Sequence, residues 1–420
     1  MRKKIYIAII VFINCISAEA QIDPLLLKRP VKDTSKQALN MDAMYNRPFI
    51  TAGKLPVSVG GYMEANWQHL ATNGISAGHE FQFRRLSLFV TSSITKRIKF
   101  MTEIEFENEV GEADEAIKGP ETEVGIEFAA IDVEFHPLLN LRGGIIVNPI
   151  GAFNQNHDGP KWEFTDRPIA MTQMLPGTWS NSGFGLYGKQ YKGNWMFGYE
   201  FYLTGGFDNS IINNSENKTF LPAAKENSSR LVTIASGKPL LTAKGAVRNS
   251  KIGELGISYM GGIYNKFTAD GLTLDDKRRL SVVDIDFNTT IQKFNTLIIG
   301  EWTWIHVDVP ATYSQQYGRK QQGGYVDIIQ PILRRKMLGW EKATLNLACR
   351  LEYVDWNVGK FKETGGNIAD DLWSIMPAIS FRPTAQTVFR FNYRYQQQKD
   401  ILGNPPSKTG GFIFGISTYF

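Results

Sequence analysis

The chain has 420 residues, of which 43% are hydrophobic, 12% aromatic and 21% charged, with a formal net charge of +5. The mean hydropathy is −0.22, and no apolar run after the N-terminus approaches the roughly 20 residues of a transmembrane helix, which excludes a helical membrane protein. The aromatic content excludes a disordered chain, and the small net charge gives no reason to expect a nucleic-acid partner. One large β protein is therefore the leading class.

Residues 1–20 have the features of a secretory signal peptide. Basic residues at Arg2–Lys4 precede an unbroken apolar stretch from Ile5 to Ile13, and a small-residue motif ending at Ala20 suits cleavage before Gln21. The alternative is a short transmembrane anchor, but a stretch of this length spans only about 14 Å of helix against a hydrocarbon core of about 30 Å. Removal of the segment lowers the formal charge to +3.

The rest of the chain divides into a tail and a long series of strand-like segments. Residues 21–55 are rich in Lys, Pro, Asp and Asn without clean periodicity, and predict an N-terminal periplasmic tail. From residue 56 to residue 420, about fifteen segments show the two-residue hydrophobic period of β-strands. Because bacterial single-chain barrels have even strand counts, we expect one more strand between Gly205 and Lys251, near Arg230–Ala235 or Leu240–Val247.

The connections and the last segment predict a membrane barrel. Short links such as Lys192-Gly193 alternate with long ones such as 148–182, as in barrels with short periplasmic turns and long external loops. Residues 411–420 alternate apolar with small residues and end on Phe420, which resembles the closing strand of bacterial outer-membrane barrels. An amphipathic strand of a soluble sandwich is the alternative. The predicted fold class is all-β, a transmembrane antiparallel β-barrel of about 16 strands (14 or 18 being alternatives), in the outer membrane of a Gram-negative cell.

Charged positions predict which face of each strand points into the barrel. A lipid-facing Arg or Lys costs about 2–4 kcal/mol at the bilayer midplane, and in the penultimate strand Phe389, Phe391 and Tyr393 alternate with Arg390 and Arg394. The same reasoning predicts a set of pore-lining residues: Arg84, Arg85, Glu103, Glu105, Asp132, Asp284, Asp286, Arg350, Glu352, Arg390 and Arg394.

So polar an inner wall in a large barrel predicts a water-filled channel. The alternative is that these groups form buried salt bridges. In particular, Arg84, Arg85, Arg390 and Arg394 either form a cationic track or pair with carboxylates such as Glu103, Glu105 and Asp132 on neighbouring strands. Tryptophans suit the aromatic girdles that flank the apolar band: Trp302, Trp304, Trp340, Trp356 and Trp373.

Signals for enzyme chemistry are thin. The histidines are scattered without a zinc-binding spacing, and no serine lies in a Gly-x-Ser-x-Gly turn. With the signal peptide removed, Cys349 is the one cysteine left, so no intramolecular disulfide is expected. We expect no catalytic residues, no metal and no cofactor.

Four motifs between Phe81 and Asp208 occur in a fixed order. They are the paired arginines Arg84-Arg85, the strand exit Gly144–Gly151, the stretch Glu163–Pro168 and the strand start Gly183–Leu186. In this order they resemble the phosphate-selective porin O/P family. The resemblance implies a sixteen-stranded, trimeric outer-membrane pore for small anions, narrowed by a loop folded inside. The positions that match are Arg84, Arg85, Pro149, Gly151, Asp166, Arg167, Gly183 and Gly185.

The long connection after Asn148 is the expected constriction, with polar residues Asn154, His157, Lys161, Asp166 and Arg167. Its cations are few and lie beside carboxylates, which departs from a basic constriction and weakens the case for phosphate. The expected function is passive diffusion of small ions or hydrophilic solutes, including anions such as phosphate. The expected partners are outer-membrane lipid, lipopolysaccharide and two further copies in a homotrimer. The alternative is a non-conducting barrel that serves as an anchor or as a subunit of a larger assembly.

Overall fold

The computed structural model describes residues 39–44, 47, 57–108 and 122–420. The predicted signal peptide and most of the predicted tail lie outside the described residues. All described residues belong to one compact unit, Ala38–Phe420. In the described part of the chain, no helix has both the length and the apolar character needed to cross a membrane.

Sixteen antiparallel strands form one closed sheet in which each strand pairs with its neighbours in sequence. β16 pairs back onto β1, from Tyr62 opposite Tyr419 to Thr72 opposite Thr409, so the sheet has no free edge. The strands are β1 Val57–Thr72, β2 Glu80–Ser93, β3 Ile98–Asn108, β4 Thr122–His136, β5 Leu139–Val147, β6 Ser180–Lys192, β7 Trp195–Thr204, β8 Leu240–Asn249, β9 Gly253–Ile263, β10 Arg279–Ile291, β11 Thr296–Val307, β12 Lys320–Met337, β13 Trp340–Asp355, β14 Asp371–Arg382, β15 Thr387–Gln398 and β16 Ser407–Tyr419.

The predicted fold class and strand number are confirmed. Of the two positions proposed for the uncertain strand, the second is correct, because β8 covers Leu240–Asn249 whereas Ser228–Leu231 forms a short 3₁₀ turn. The other helical turns are Asn40–Asp42, Asn154–Asn156, Gly159–Lys161, Ala170–Met174, Asn209–Ile211 and Ala223–Glu226, and short paired segments lie at Ile75–Ser76, Thr268–Ala269 and Leu272–Thr273.

The two ends of the barrel differ in the length of their connections. One end, here the short-turn end, has connections 94–97, 137–138, 193–194, 250–252, 292–295, 338–339 and 383–386. The opposite long-loop end has connections 73–79, 148–179, 205–239, 264–278, 308–319, 356–370 and 399–406, together with 109–121, which lies outside the described residues. The alternation predicted from the sequence is therefore present in the fold.

The two faces of each strand differ in chemistry. On β15, Phe391 and Tyr393 are exposed on the outer face, whereas the alternating residues Arg390 and Asn392 are buried in the interior. β10 follows the same pattern, with Val283 exposed on the outer face and Asp284 and Asp286 buried. A continuous apolar outer surface on a closed barrel suits hydrocarbon rather than water. The predicted inward and outward faces are confirmed on these strands.

Most of the predicted aromatic girdle lies on the outer face, with one correction. Trp304, Trp340 and Trp373 are exposed. Trp302 stacks on Tyr353 of β13 across Gly324 of the intervening β12. Trp356 was expected in the same girdle but is buried in an apolar cluster inside the barrel. The physical reason is its position: Trp356 directly follows β13 and belongs to the alternate residues whose side chains point inward.

Three segments enter the barrel interior. They are the tail segment (residues 39–44 and 47), the inner loop (148–179) and the cap loop (205–239). The inner and cap loops pack with wall residues in one apolar cluster at the long-loop end, which includes Ile150, Phe153, Met171, Ile211, Leu221, Leu280, Val307 and Tyr325. The predicted inward-folded loop is confirmed. No pattern in the sequence predicts that the cap loop and the tail also enter.

Candidate functional site

The inner loop is closed at its root by Asn154. The side-chain amide of this residue donates to the carbonyls of Asn148 (2.7 Å) and Trp179 (2.9 Å), and its oxygen accepts from the Trp179 N–H at 2.7 Å. Asn148 N–H also donates to the Trp179 carbonyl at 2.9 Å. These bonds hold the two ends of the loop together, so the chain between them is directed into the barrel.

The first turn of the inner loop reaches β11. Gly151 has φ +67°, and a Cβ at this position would overlap the Glu301 carboxylate. The N–H groups of Ala152 and Phe153 donate to Glu301 Oε2 at 3.1 and 2.8 Å, and Lys244 donates to the Gly151 carbonyl at 2.6 Å. A left-handed backbone next to a carboxylate requires glycine, which explains the matched glycine at this position.

Wall arginines from the opposite side hold the far part of the inner loop by its backbone. Arg390 donates to the carbonyls of Gly159 (3.2 Å) and Phe164 (2.8 Å), and Arg350 donates to the Asp166 carbonyl at 2.7 Å. The guanidinium offers several donors in a fixed plane, so it can bind a carboxylate and a carbonyl together. The loop therefore crosses the interior and is fixed at both walls.

The predicted pore-lining residues face the interior, and most are buried against the inner loop or paired with a neighbour. The ion pairs include Arg142 with Asp132 at 2.8 Å and Arg350 with Asp327 at 2.7 Å. Buried members of the predicted set are Arg85, Glu103, Glu105, Asp132, Asp284, Asp286, Arg350, Glu352 and Arg390. This arrangement agrees with the alternative of buried salt bridges. That these residues line a water-filled route remains a prediction.

The four arginines of the predicted cationic track each have a carboxylate partner. Arg390 pairs with Glu64 at 3.0 Å, and Arg85 pairs with Glu107 and, at 3.4 Å, with Glu105. Pairing with a neighbouring strand therefore describes Arg85, whereas Arg390 reaches Glu64 of β1 past the intervening β16. Arg84 and Arg394 instead reach the inner loop, as described next.

A β-bulge turns both members of the Arg84-Arg85 pair inward. Glu64 of β1 lies opposite Arg85 of β2, but the next pair is Ala65 with Phe83, so Arg84 is an extra residue. Strict alternation would send one of two adjacent arginines into lipid, and the extra residue of a bulge removes this conflict.

Asp166 of the inner loop holds two of these arginines. Its carboxylate lies 3.1 Å from Arg84 and 2.6 Å from Arg394. Burial alone would raise the pKa of Asp166. The positive charges of Arg394 and Arg84 lower it by more than burial raises it, so the pKa lies below its ordinary value. The Arg84, Arg394 and Arg167 side chains are 19%, 18% and 16% exposed, against 6% for Asp166. We call these three residues the arginine trio.

The tail segment contributes a residue that the sequence did not single out. The Arg47 guanidinium is buried, with Nε 3.0 Å and Nη2 2.6 Å from the two Asp158 oxygens, and with Nη2 2.8 Å from Glu103. Its carbon lies 3.8 Å from the centroid of the Phe89 ring, and Tyr419 Oη donates to Asp158 at 2.6 Å. No periodic pattern marks the tail, so the sequence carried no signal for this contact.

The inner-loop residues at this pocket have shifted pKa values. Burial would raise the pKa of Asp158, but Arg47 and Lys161 hold it far below its usual range. Burial would lower the pKa of His157, but Glu103 and Asp158 raise it above its usual value. Burial is also the largest influence on Lys161, and it lowers the pKa of that ammonium.

Glu103, His157 and Asp158 also bring three potential metal-ligand atoms within 4.8 Å of one another. The position between the two carboxylates is taken by the Arg47 guanidinium. Since Lys161 lies 3.3 Å from Asp158 as well, the charges of the pair are already balanced. In this arrangement Glu103 and Asp158 bind the Arg47 guanidinium.

Comparisons with known proteins relate the chain to porins by fold. Its structure is similar to the outer-membrane channel DcaP of Acinetobacter baumannii (TM-score 0.53, 10% identity, 88% of this chain and 99% of that chain). It is also similar to Salmonella typhi OmpF in complex with daunomycin (TM-score 0.52, 11% identity, 87% and 98%). An anion-selective porin from Comamonas acidovorans has a TM-score of 0.50 with 12% identity over 87% and 99% of the chains.

Sequence comparisons are less informative. No known family profile matches the chain. An uncharacterized protein of Aquifex aeolicus (strain VF5) is 36% identical over 135 residues, which is 32% of this chain and 30% of that protein, so the match spans less than a third of the relative. Fold, closure and apolar outer face agree: the chain is a porin-type barrel of sixteen antiparallel strands that resides in the outer membrane.

Proposed function

We propose that this barrel is an outer-membrane porin for the passive diffusion of small hydrophilic solutes, with a preference for anions such as phosphate. The observation that carries the proposal is the arginine trio. Its members are inward-facing cations at the inner loop that are partly exposed, and the carboxylate that pairs with two of them is buried. Solvent in the interior therefore meets positive charge, which favours anions at the narrowest point.

The proposed route passes the arginine trio, on the side of the barrel formed by β1–β3, β15 and β16. On the other side of the barrel the inner and cap loops close the interior with apolar side chains, which leave no polar path for an ion. Similarity to an anion-selective porin supports the anion preference by analogy of fold, as does the resemblance to phosphate-selective porins.

Single-channel recording in a planar bilayer tests the proposal. The folded chain is expected to give conductance steps, and a potassium chloride gradient should give a reversal potential in the anion direction. Arg84→Ser and Arg394→Ser should each move the reversal potential toward cations. Phosphate added to chloride should reduce the chloride current if it occupies the same site.

Arg278→Ser is the matched control, because it removes the same charge from an ion pair with Asp275 on the loop 264–278. It should leave selectivity unchanged. Unaltered selectivity in both trio variants contradicts the anion route but leaves a general pore. A complete lack of conductance from folded protein contradicts the porin itself.

A second candidate function is a non-conducting barrel that acts as an anchor or as a subunit of a larger assembly. The observation that favours it is the filled interior, where the tail segment, inner loop and cap loop all contact the wall. Such a protein would fold and insert normally but give no current under any solute gradient. The same recording therefore separates the two candidates.

The proposal includes a homotrimer in contact with lipid and lipopolysaccharide. Support for the trimer comes from the resemblance to phosphate-selective porins. The mass of the detergent complex by light scattering, corrected for bound detergent, should equal three chains. A mass of one chain contradicts the trimer without affecting the pore.

A further inference from the structure

The pocket that holds Arg47 has the construction of a ligand site. Asp158 receives two guanidinium nitrogens in a fork, at 3.0 and 2.6 Å, and Glu103 receives one at 2.8 Å. This planar, two-point geometry is matched by a guanidinium and poorly matched by an ammonium, which is a compact point charge. The acceptors come from β3 and the inner loop, so the guanidinium and its acceptors belong to separate segments of the chain.

Aromatic rings complete the pocket. Phe89 lies beneath the guanidinium at 3.8 Å and Phe128 beside it at 5.5 Å. Tyr62 and Tyr419 pack around Phe89, and Tyr419 also fixes the Asp158 carboxylate. A flat cation over an aromatic face is favoured more strongly in a buried site than in an exposed one.

The pocket retains binding capacity that Arg47 does not use. Within the described structure, Glu103 Oε1 and His157 Nε2 are buried and have no hydrogen-bond partner, although His157 Nε2 lies 3.8 Å from the other Glu103 oxygen. If Arg47 were absent, Lys161 would be the nearest cation to Asp158, while Glu103 would face only His157. Unpaired buried carboxylates are strongly unfavourable, so an empty pocket would attract a cation that fits the fork.

We propose that this pocket is a guanidinium-binding site whose resident ligand is the chain's own Arg47, and that it takes a free guanidinium solute when that side chain is absent. In the unsubstituted chain Arg47 occupies this position, so a guanidinium solute is excluded from it. The binding itself is independent of conduction. Its effect on permeation rests on the proposed porin function.

Chemical rescue tests the site in the full-length folded barrel. Arg47→Ala should lower the midpoint temperature at which the barrel unfolds in a heat-modifiability gel. Ethylguanidinium, which replaces the deleted group, should restore the midpoint with increasing concentration. Ethylammonium has the same charge and a similar length but lacks the fork, so its dissociation constant should be at least about tenfold higher.

Two further variants keep the test decisive. Arg47→Lys retains the charge without the fork, so it should fold even if Arg47→Ala does not, and ethylguanidinium should still raise its midpoint. Glu103→Gln in the Arg47→Ala background should weaken ethylguanidinium binding at least about tenfold, because one carboxylate acceptor is lost. The unsubstituted chain should show no shift, since its pocket is occupied.

Current recordings separate this inference from the porin function. Added ethylguanidinium should reduce the current of the Arg47→Ala channel and not that of the unsubstituted channel. Rescue of the midpoint without any conductance would support the site and contradict the porin. Conductance without rescue, equal rescue by ethylammonium, or stronger rescue by Mn²⁺ than by ethylguanidinium would overturn the site.

Discussion

Gly151 fixes the point at which the inner loop turns toward the opposite wall. Its φ of +67° lies in the left-handed region, and its Cα faces Glu301 so closely that a Cβ has no room. Two consecutive N–H groups after it share one Glu301 oxygen. Gly151 therefore combines a positive φ with the absence of a Cβ that would overlap the Glu301 carboxylate, and it directly precedes the two N–H groups that donate to this carboxylate.

We expect Gly151→Ala to destabilise the inner loop through two separate effects. The left-handed conformation costs alanine about 1–2 kcal/mol, and the overlap with Glu301 adds to this. Gly193→Ala is the matched control, because Gly193 has φ +59° but open space around its Cβ position. Heat-modifiability midpoints should fall further for Gly151→Ala. Equal losses would mean that contact with Glu301 contributes nothing.

Protonation of His157 makes the stability of the inner loop depend on pH. Its pKa is raised, so between the unfolded value of about 6.5 and the higher folded value the native state binds more protons than the unfolded state. The stabilisation is therefore complete below about pH 6.5 and is lost as pH rises through the folded pKa.

The expected result is a lower unfolding midpoint at pH 9 than at pH 6. His157→Gln should flatten this difference, because it removes the titrating group. His306→Gln, at an exposed histidine on the outer side of the same protein, should leave the difference intact. A pH dependence unaffected by His157→Gln would assign it to other groups.

The bulge at Arg84, in the pairing of β1 with β2, allows two adjacent arginines to point into the barrel. Two adjacent arginines must both reach the interior, while Phe83 and Leu86 beside them must keep their places on the lipid side. The extra residue lets the alternation restart after Arg84, and it positions that side chain for Asp166. The bulge in β2 thus provides an ion-pair partner for Asp166 of the inner loop.

Deletion of Arg84 should therefore be tolerated by the barrel. With the extra residue removed, Phe83 and Arg85 follow regular alternation, so the outer row stays apolar. Deletion of Leu88, in the regular part of the same strand, should prevent folding because it exchanges the faces of the residues on one side. Folding into a heat-modifiable band distinguishes the two. Failure of both deletions would show that the bulge is required for pairing.

The strands were predictable because lipid and interior impose opposite demands on alternate residues. Arg390 and Arg394 on β15, or Asp284 and Asp286 on β10, could be placed from sequence alone. The contacts of these residues could not, because their partners come from segments without periodicity. Asp166 reaches Arg394 from a loop, and nothing in the sequence spacing predicts that distance.

On the scale of the whole molecule, the interior is divided into two halves of different chemistry. On one side the cap loop lies against the inner loop, with Ile211 and Leu221 buried in the apolar cluster. Gln321 of β12 donates to the Thr219 carbonyl at 2.9 Å, which ties the cap loop to the wall. On the other side the arginine trio faces solvent. The cap loop therefore limits the open cross-section of the proposed channel.

Shortening the cap loop should widen the channel. Replacement of residues 208–227 by a short Gly-Ser linker removes Ile211 and Leu221, and conductance should rise about twofold if half of the interior opens. The reversal potential should change little, because the arginine trio is untouched. Replacing residues 268–273, the hairpin of the loop 264–278, by the same linker is the control and should leave conductance unchanged, since that hairpin lies outside the apolar cluster. An unaltered conductance after cap-loop shortening would mean that the inner loop alone sets the cross-section.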